Sequence, residues 1–146
     1  MTRCTLLGIV ALLSIGVGCG HRSTAPYGDI DTRLEVDRTQ AAVGEVVGLR
    51  AIATNHGADT VTLMAGCGAG LDFEIQRPNG ERYFLLRDRP SICPIFDSNI
   101  LEPGETDTVS YAWTVPAPTG TYRLWAGGRV REGLAARSRP KELIVR

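Results

Sequence analysis

Apolar and polar residues alternate in several short segments of the chain. In residues 71–76, Leu71, Phe73 and Ile75 fall on one face of an extended segment, and the polar residues between them fall on the other. A period of two with one apolar face is typical of half-buried antiparallel strands. The same pattern occurs at Leu34 and Val36, at Val109, Tyr111, Trp113 and Val115, at Tyr122, Leu124 and Ala126, and at Leu143 and Val145.

Turn-forming residues separate these segments. In "RPNGE", Pro78 and Asn79 fit the centre of a type I turn, with Gly80 left-handed in a bulge. In "LEPGE", Pro103 and Gly104 fit a type II turn. Short strands spaced by such turns predict an immunoglobulin-like antiparallel β-sandwich of seven or eight strands.

Two segments near the end of the chain have a specific interpretation. The run "PTGTY" resembles the tyrosine corner of immunoglobulin-like sandwiches, in which the hydroxyl of a tyrosine at Tyr122 bonds back to the preceding loop. An ordinary core tyrosine is the alternative. Residues 129–141 show no strand pattern and are predicted to be a loop before the last strand.

The chain begins with a different pattern, a positive residue followed by an apolar run. Arg3 precedes 15 uncharged, mostly apolar residues from Cys4 to Gly18. This run is shorter than the ~20 residues that cross a bilayer as a helix. Together with its small residues at the end, it predicts a secretory signal peptide over residues 1–18, with a transmembrane anchor as the alternative.

A cysteine follows this apolar run directly. Residues 15–19, "IGVGC", resemble the lipobox of bacterial lipoproteins, although Gly16 stands where leucine is commonest. The resemblance implies that the signal is cut before Cys19 and that this cysteine carries a lipid. It also implies an outer-membrane location in a Gram-negative cell, because Gly20 replaces the aspartate that signals retention in the inner membrane.

Composition divides the rest of the chain into a tether and one domain. Residues 19–31 are polar and rich in turn formers, which predicts a flexible tether, and residues 32–146 form one domain. Removing Arg3 from the 16 Lys and Arg residues leaves 15, against 16 Asp and Glu, so nothing indicates nucleic-acid binding. Residues 121–146 hold seven Lys or Arg and two Glu, a net charge of +5. This basic region favours an acidic partner or anionic lipid, unless it is simply a solvated surface.

Two cysteines remain in the predicted domain. An even pair in an exported chain predicts a disulfide between Cys67 and Cys93. A metal site is the rival interpretation, but two thiols without a nearby histidine make a poor one.

Several motifs occur in the order found in the BsuPI-like domain, a family named for an intracellular proteinase inhibitor of Bacillus. They are "ATNHGADTVTL", "LDFEIQRPNGERYF", "LEPGETDTVSYAWTV" and "PTGTYRL". The resemblance covers about residues 33–146 and implies an immunoglobulin-like sandwich. This chain differs from the founding inhibitor in its export signal and in the pair Cys67 and Cys93, so inhibitor activity does not carry over directly.

The sequence contains no convincing catalytic, metal or cofactor site. His56 is the single histidine of the predicted domain, and it lies in a turn sequence, "TNHGAD", rather than beside a nucleophile. Asp29, Asp31, Glu35 and Asp37 could hold calcium, but their alternation with apolar residues favours a solvated strand face. No glycine-rich phosphate loop is present.

One loop is the best candidate for an interaction. Prolines and a bridged cysteine would hold it in one conformation, which favours recognition of a partner, although an end cap over the sandwich is the alternative. Its candidate residues are Arg89, Pro90, Ser91, Ile92 and Pro94. The sequence therefore predicts a membrane-anchored, non-catalytic binding module that resembles a proteinase inhibitor and binds an unknown protein partner. The alternative is a structural or assembly lipoprotein of the cell envelope.

Overall fold

A computed structural model describes residue 27 and residues 29–64, 70–86, 98–130 and 133–146. The described residues form eleven strands. They are β1 (Ile30–Val36), β2 (Gln40–Ala41), β3 (Val46–Asn55), β4 (Val61–Met64), β5 (Leu71–Gln76), β6 (Arg82–Phe84), β7 (Ser98–Leu101), β8 (Thr106–Thr114), β9 (Gly120–Val130), β10 (Gly133–Ala135) and β11 (Lys141–Val145). Within these ranges, no helix has the length and apolar character needed to cross a membrane.

The strands form two main sheets. The three-stranded sheet has the order β1-β3-β8, and the six-stranded sheet has the order β2-β11-β9-β5-β6 with β10 beside β9. Every pair is antiparallel except β2 with β11. β4 and β7 form a separate antiparallel pair. The predicted all-β sandwich is confirmed.

The core lies between the two sheets and is built from the alternating apolar residues. Phe73, Tyr122 and Leu124 are completely buried, and Trp113 is 3% exposed. Tyr111 is half-buried and packs against this core, with its ring centroid 6.3 Å from that of Phe73. These side chains share one core because residues i and i+2 of a strand face the same side.

Tyr122 forms the predicted tyrosine corner while also filling the core. Its ring is buried, and its hydroxyl lies 2.8 Å from the carbonyl oxygen of Pro118 and 3.0 Å from that of Pro116. The hydroxyl donates its single proton to these carbonyls and so ties the start of β9 to the loop before it. Both interpretations of Tyr122 therefore hold together.

Both turns also have the predicted geometry. In the β5–β6 turn, the Gly80 N–H donates to the Arg77 carbonyl at 2.9 Å, and Gly80 has φ +88°. In the turn before β8, the Glu105 N–H donates to the Glu102 carbonyl at 3.0 Å, and Gly104 has φ +78°. A positive φ costs glycine little, which explains its presence at both positions.

Two details of the predicted fold need correction. There are eleven strands in the described residues rather than seven or eight, because strands of two to four residues are too short to show a period. The predicted loop over 129–141 is partly strand, since β9 reaches Val130 and β10 pairs back on it. Two glycines, Gly127 and Gly128, hide this pattern because they carry no side chains. β1 begins at Ile30, and the predicted domain boundary at residue 32 falls within this strand.

Candidate binding groove

The predicted site residues Cys19, Cys67 and Cys93 and the loop Arg89, Pro90, Ser91, Ile92 and Pro94 lie outside the described residues. Two described residues that lie near these domain cysteines in the chain are paired with each other. In the β4–β7 pair, Met64 lies opposite Ser98. The chain segments that lead to Cys67 and Cys93 therefore start side by side.

The histidine and the acidic residues have the positions expected of a solvated surface. His56 is exposed in a turn, and its backbone N–H donates to the carbonyl of Asp29 at 2.9 Å. Asp31 in β1 and Asp37 directly after it are exposed. Among the residues whose positions are described, no group of three potential metal ligands lies close enough to hold an ion.

A groove runs along β1 on the open side of the sandwich. β1 is the edge strand of the three-stranded sheet, and the chain entering β11 lies across from it. Two adjoining hollows of about 320 and 300 Å³ both include Arg33, Leu34 and Lys141 in their walls. We call them together the β1 groove.

The backbone of β1 presents hydrogen-bonding groups to this groove. The Asp37 N–H donates to the Gly48 carbonyl at 3.1 Å, which sets the phase of the β1–β3 pairing. Because bonding alternates along an antiparallel pair, the N–H and C=O groups of Thr32, Leu34 and Val36 point away from β3. Among the described strands, β1 pairs with β3 alone. One wall of the groove therefore presents the outward backbone N–H and C=O groups of an edge strand.

A buried hydroxyl also lies in this wall. Thr32 is 9% exposed and lines the larger hollow. Its Oγ1 is buried and has no hydrogen-bond partner within the described part of the chain. A polar group entering the hollow would therefore find in Thr32 a hydroxyl that can donate or accept a hydrogen bond.

The larger hollow is predominantly cationic. Arg33, Arg139 and Lys141 line it, and Asp31 is the one acid among the described residues of its wall. Arg33 is ion-paired with Glu35 at 3.1 Å, on the exposed surface. The excess of positive charge favours an anionic occupant.

A hydrogen-bonded network fixes the far end of β1. The Asp37 carboxylate accepts a bond from Arg38 at 3.0 Å and another from the Gly48 N–H at 3.0 Å. These bonds, led by that of Arg38, lower the pKa of Asp37, and the same pairing raises the pKa of Arg38. Arg38 also pairs with Glu45. The network connects β1 to the turn before β3 and so holds the edge strand in place.

A third hollow, of about 660 Å³, lies on the outer face of the three-stranded sheet. The hollow forms where small residues meet, because Gly48, which has no side chain, lies opposite Ala112 in the β3–β8 pairing. The charged groups in its wall already have protein partners: Arg50 pairs with Glu35 at 3.4 Å, and Asp37 accepts the bonds described above. We therefore regard the β1 groove as the stronger candidate site.

Sequence reasoning missed the residues that line the β1 groove. Thr32 and Lys141 lie more than a hundred positions apart in the chain, and only the fold brings them together. Two signals were present in the sequence. One was the net charge of +5 over residues 121–146. The other was the spacing of two residues that places Thr32 on the same strand face as Leu34 and Val36.

Comparisons with known proteins support the fold and nothing beyond it. No model of a protein family matches the chain, and no curated protein matches it. The alkylpurine DNA glycosylase AlkC of Pseudomonas fluorescens, solved bound to DNA containing an abasic site analog, is similar with a TM-score of 0.57 at 12% identity, over 81% of this chain and 30% of that protein. The sporulation control protein Spo0M of Bacillus subtilis is similar with a TM-score of 0.52 at 12% identity, over 81% and 49%. The chain thus spans less than half of either protein, and the likeness shows a shared sandwich.

Proposed function

We propose that this chain is a non-catalytic binding module, held at a membrane by a lipid on Cys19, that binds an extended acidic segment of a protein partner along β1. The observation that carries the proposal is the edge of β1, whose outward backbone groups line a cationic groove. The signal peptide and lipobox pattern support the membrane anchor. The proposal requires no cofactor.

The binding mode follows from the physics of a sheet edge. An extended segment laid beside β1 would pair with the backbone groups of Thr32, Leu34 and Val36, adding a strand to the three-stranded sheet. Its acidic side chains would meet Arg139 and Lys141, which contribute rate and specificity through charge. Backbone pairing gives affinity with little dependence on side chains, so the cationic wall would select the partner.

A peptide-binding measurement tests this mode. The purified full chain, in a nonionic detergent, is titrated into a fluorescent peptide that alternates glutamate with valine. We expect binding to weaken about tenfold in Lys141→Glu or Arg139→Glu, since each reverses a charge in the groove. The variant Arg50→Glu makes the same charge change on the outer face of the three-stranded sheet and should bind like the wild type.

A second probe separates strand addition from simple charge attraction. An added strand bonds to β1 through every other amide, so N-methylation of one set of alternate amides should abolish binding, whereas methylation of the other set should be tolerated. Equal loss from both sets, or equal binding by the Lys141 and Arg50 variants, would contradict the proposal.

The resemblance to a proteinase inhibitor family supports one class of partner, and an envelope protein is the alternative. A panel of serine proteases distinguishes the two. If the partner is a protease, the chain should slow at least one enzyme of the panel without being cleaved, and substitution of Arg89 and Ile92 should show whether the predicted loop contributes. If no protease is slowed, crosslinking in envelope fractions should identify an assembly partner.

A further inference from the structure

An ionic cluster lies on the outer face of the six-stranded sheet, away from the β1 groove. Glu74 of β5 is its centre, and the side chain of Glu74 is only 8% exposed. Arg82 Nη1 lies 3.2 Å from Glu74 Oε1, and Arg137 Nη2 lies 2.8 Å from the same oxygen. One buried carboxylate oxygen therefore holds two guanidinium groups.

The same two guanidinium groups also make cation–π contacts with one aromatic ring. Trp125 of β9 lies directly opposite Glu74 in the β5–β9 pairing and is 8% exposed. The Arg137 guanidinium carbon is 3.9 Å from the centre of the Trp125 ring, and that of Arg82 is 5.6 Å away. Cation–π contact and ion pairing thus fix both guanidinium groups in position.

The cluster carries more positive than negative charge. Glu74 is the one described carboxylate that forms an ion pair with either arginine, so two positive charges share one negative charge. Burial lowers the pKa of Arg137, the attraction of Glu74 opposes this, and repulsion from Arg82 adds to it. Holding Arg137 on the sheet requires only Glu74 and Trp125. Arg82, with a side chain 51% exposed, adds a second cation that this structural role does not need.

We propose that Arg82 and Arg137 bind a phosphate-type oxyanion beside Trp125. Each guanidinium group has five N–H donors in a planar fork, and contact with a single Glu74 oxygen leaves donors on both forks for another acceptor. A phosphate-type anion bridging the two forks would form charge-assisted hydrogen bonds with both, and a single negative charge would neutralise the excess charge of +1. The shared chemistry is the phosphate oxyanion, whether it belongs to a free phosphate or to a lipid headgroup.

The test uses the fluorescence of Trp125 as its reporter. Inorganic phosphate is titrated into the full chain in a nonionic detergent at constant ionic strength, and a short-chain phosphatidylglycerol is titrated in a second arm. We expect a saturable change in fluorescence. The variant Trp125→Phe should lose it, because the remaining Trp113 is buried in the core. Stronger binding in the second arm would identify a lipid headgroup as the source, and stronger binding of inorganic phosphate would identify a free anion.

Two charge variants give opposite expectations. Arg82→Gln should weaken binding about tenfold, because a charge-assisted bond is lost from an exposed side chain. Its matched control is Arg123→Gln. This variant removes the same charge from the same face of the sheet, but Arg123 is ion-paired with Glu142 rather than with Glu74. Glu74→Gln should tighten binding several-fold, because it removes the competing carboxylate.

The outcomes separate a ligand site from a purely structural cluster. If the cluster only fastens the chain after β10 to the sheet, neither phosphate nor phosphatidylglycerol will change Trp125 fluorescence in any variant. That result, or equal weakening by Arg82→Gln and Arg123→Gln, overturns the proposal. The Arg82 comparison stands even if Glu74→Gln fails to fold, because Arg82 is half-exposed.

Discussion

Two asparagine side chains accept the same local hydrogen bond in very different surroundings. Asn55 Oδ1 accepts from the Gly57 N–H at 2.9 Å, and Asn79 Oδ1 accepts from the Glu81 N–H at 3.0 Å. Asn79 is exposed, whereas Asn55 is completely buried. The Asn55 Nδ2 also donates to the carbonyls of Asp59 and Leu101, at 2.9 and 3.0 Å. Asn55 thus connects the turn after β3 to β7.

We expect the two asparagine side chains to differ in how much stability is lost when each is replaced by alanine. Asn55→Ala leaves a backbone N–H and two carbonyls without their partner in a buried place, so we expect it to lower the free energy of unfolding by about 2–4 kcal/mol. Asn79→Ala loses one exposed bond and should cost less than about 1 kcal/mol. Urea unfolding followed by tryptophan fluorescence measures both, and equal costs would show that burial does not determine the role of Asn55.

Asp37 predicts a dependence of stability on pH. Its hydrogen bonds from Arg38 and the Gly48 N–H hold its pKa in the folded protein below the usual value of 3.8. The carboxylate therefore contributes stability above pH 3.8 and loses that contribution as the pH falls through the lowered pKa. We expect Asp37→Asn to destabilise the protein at pH 7 by less than about 1 kcal/mol, because the pair is exposed. The difference in the free energy of unfolding between wild type and variant should shrink in strong acid. A difference that stays constant from pH 7 to strong acid would contradict this prediction.

At the scale of the strands, the apolar period identified the long elements because one face of each is buried. β5 shows both the success and the limit of this reasoning. Leu71, Phe73 and Ile75 form the core as predicted, but Asp72 and Glu74 on the opposite face are also buried. The Asp72 carboxylate accepts bonds from the backbone of Phe73 and Leu86, at 2.7 and 2.9 Å. The chain after β5 and after β10 covers this face, and no local pattern encodes such long-range cover.

The candidate site was less predictable than the fold for the same reason. A strand period depends on neighbouring residues, so "TYRLWA" identified Tyr122 and Leu124 without knowledge of the rest of the chain. The β1 groove instead depends on which strand lies at the edge of a sheet and on which chain segment lies opposite that strand. Lys141 and Leu34 line the same hollow because the fold brings the start of β11 near β1.

The disulfide between Cys67 and Cys93 stays a prediction, and the β4–β7 pair gives the described residues from which the two segments start. Cys67 follows Met64 by three residues and Cys93 precedes Ser98 by five, and Met64 lies opposite Ser98. Such short segments allow the two cysteines to meet. From Cys67 to Cys93, counted inclusively, the closed loop has 27 residues (93 − 67 + 1), for which the chain-entropy model gives about 3–4 kcal/mol before strain.

Mass spectrometry of the exported protein tests this disulfide. Digestion without reduction should release one crosslinked species containing Cys67 and Cys93, and alkylation of the native protein should label neither. The double variant Cys67→Ser with Cys93→Ser should unfold at a lower denaturant concentration than the wild type. A reducing agent should not change the unfolding midpoint of this variant. Two alkylated thiols in the native protein would exclude the bridge.

At the scale of the whole molecule, the predicted anchor and β1 are close together in the chain. Cys19 precedes Ile30 by eleven residues, a distance of at most about 40 Å if fully extended. A lipid at Cys19 would therefore keep the β1 groove near the membrane surface. This constrains the proposed partner, because its acidic segment must reach a groove within a few nanometres of the bilayer.

Lipidation of Cys19 is the final prediction, and it determines whether this constraint exists. We expect the membrane fraction to contain an amino-terminal peptide that begins at Cys19 and carries acyl chains, detected by mass spectrometry. Two or three acyl chains bind a bilayer stably, whereas one binds marginally, so Cys19→Ser should shift the protein from the membrane fraction or leave its signal peptide uncut. Cys4→Ser is the matched control, because Cys4 lies within the predicted signal and should not affect anchoring. An unmodified chain beginning near residue 19 and free of the membrane would show that ordinary signal cleavage occurs, and the groove would then act in solution.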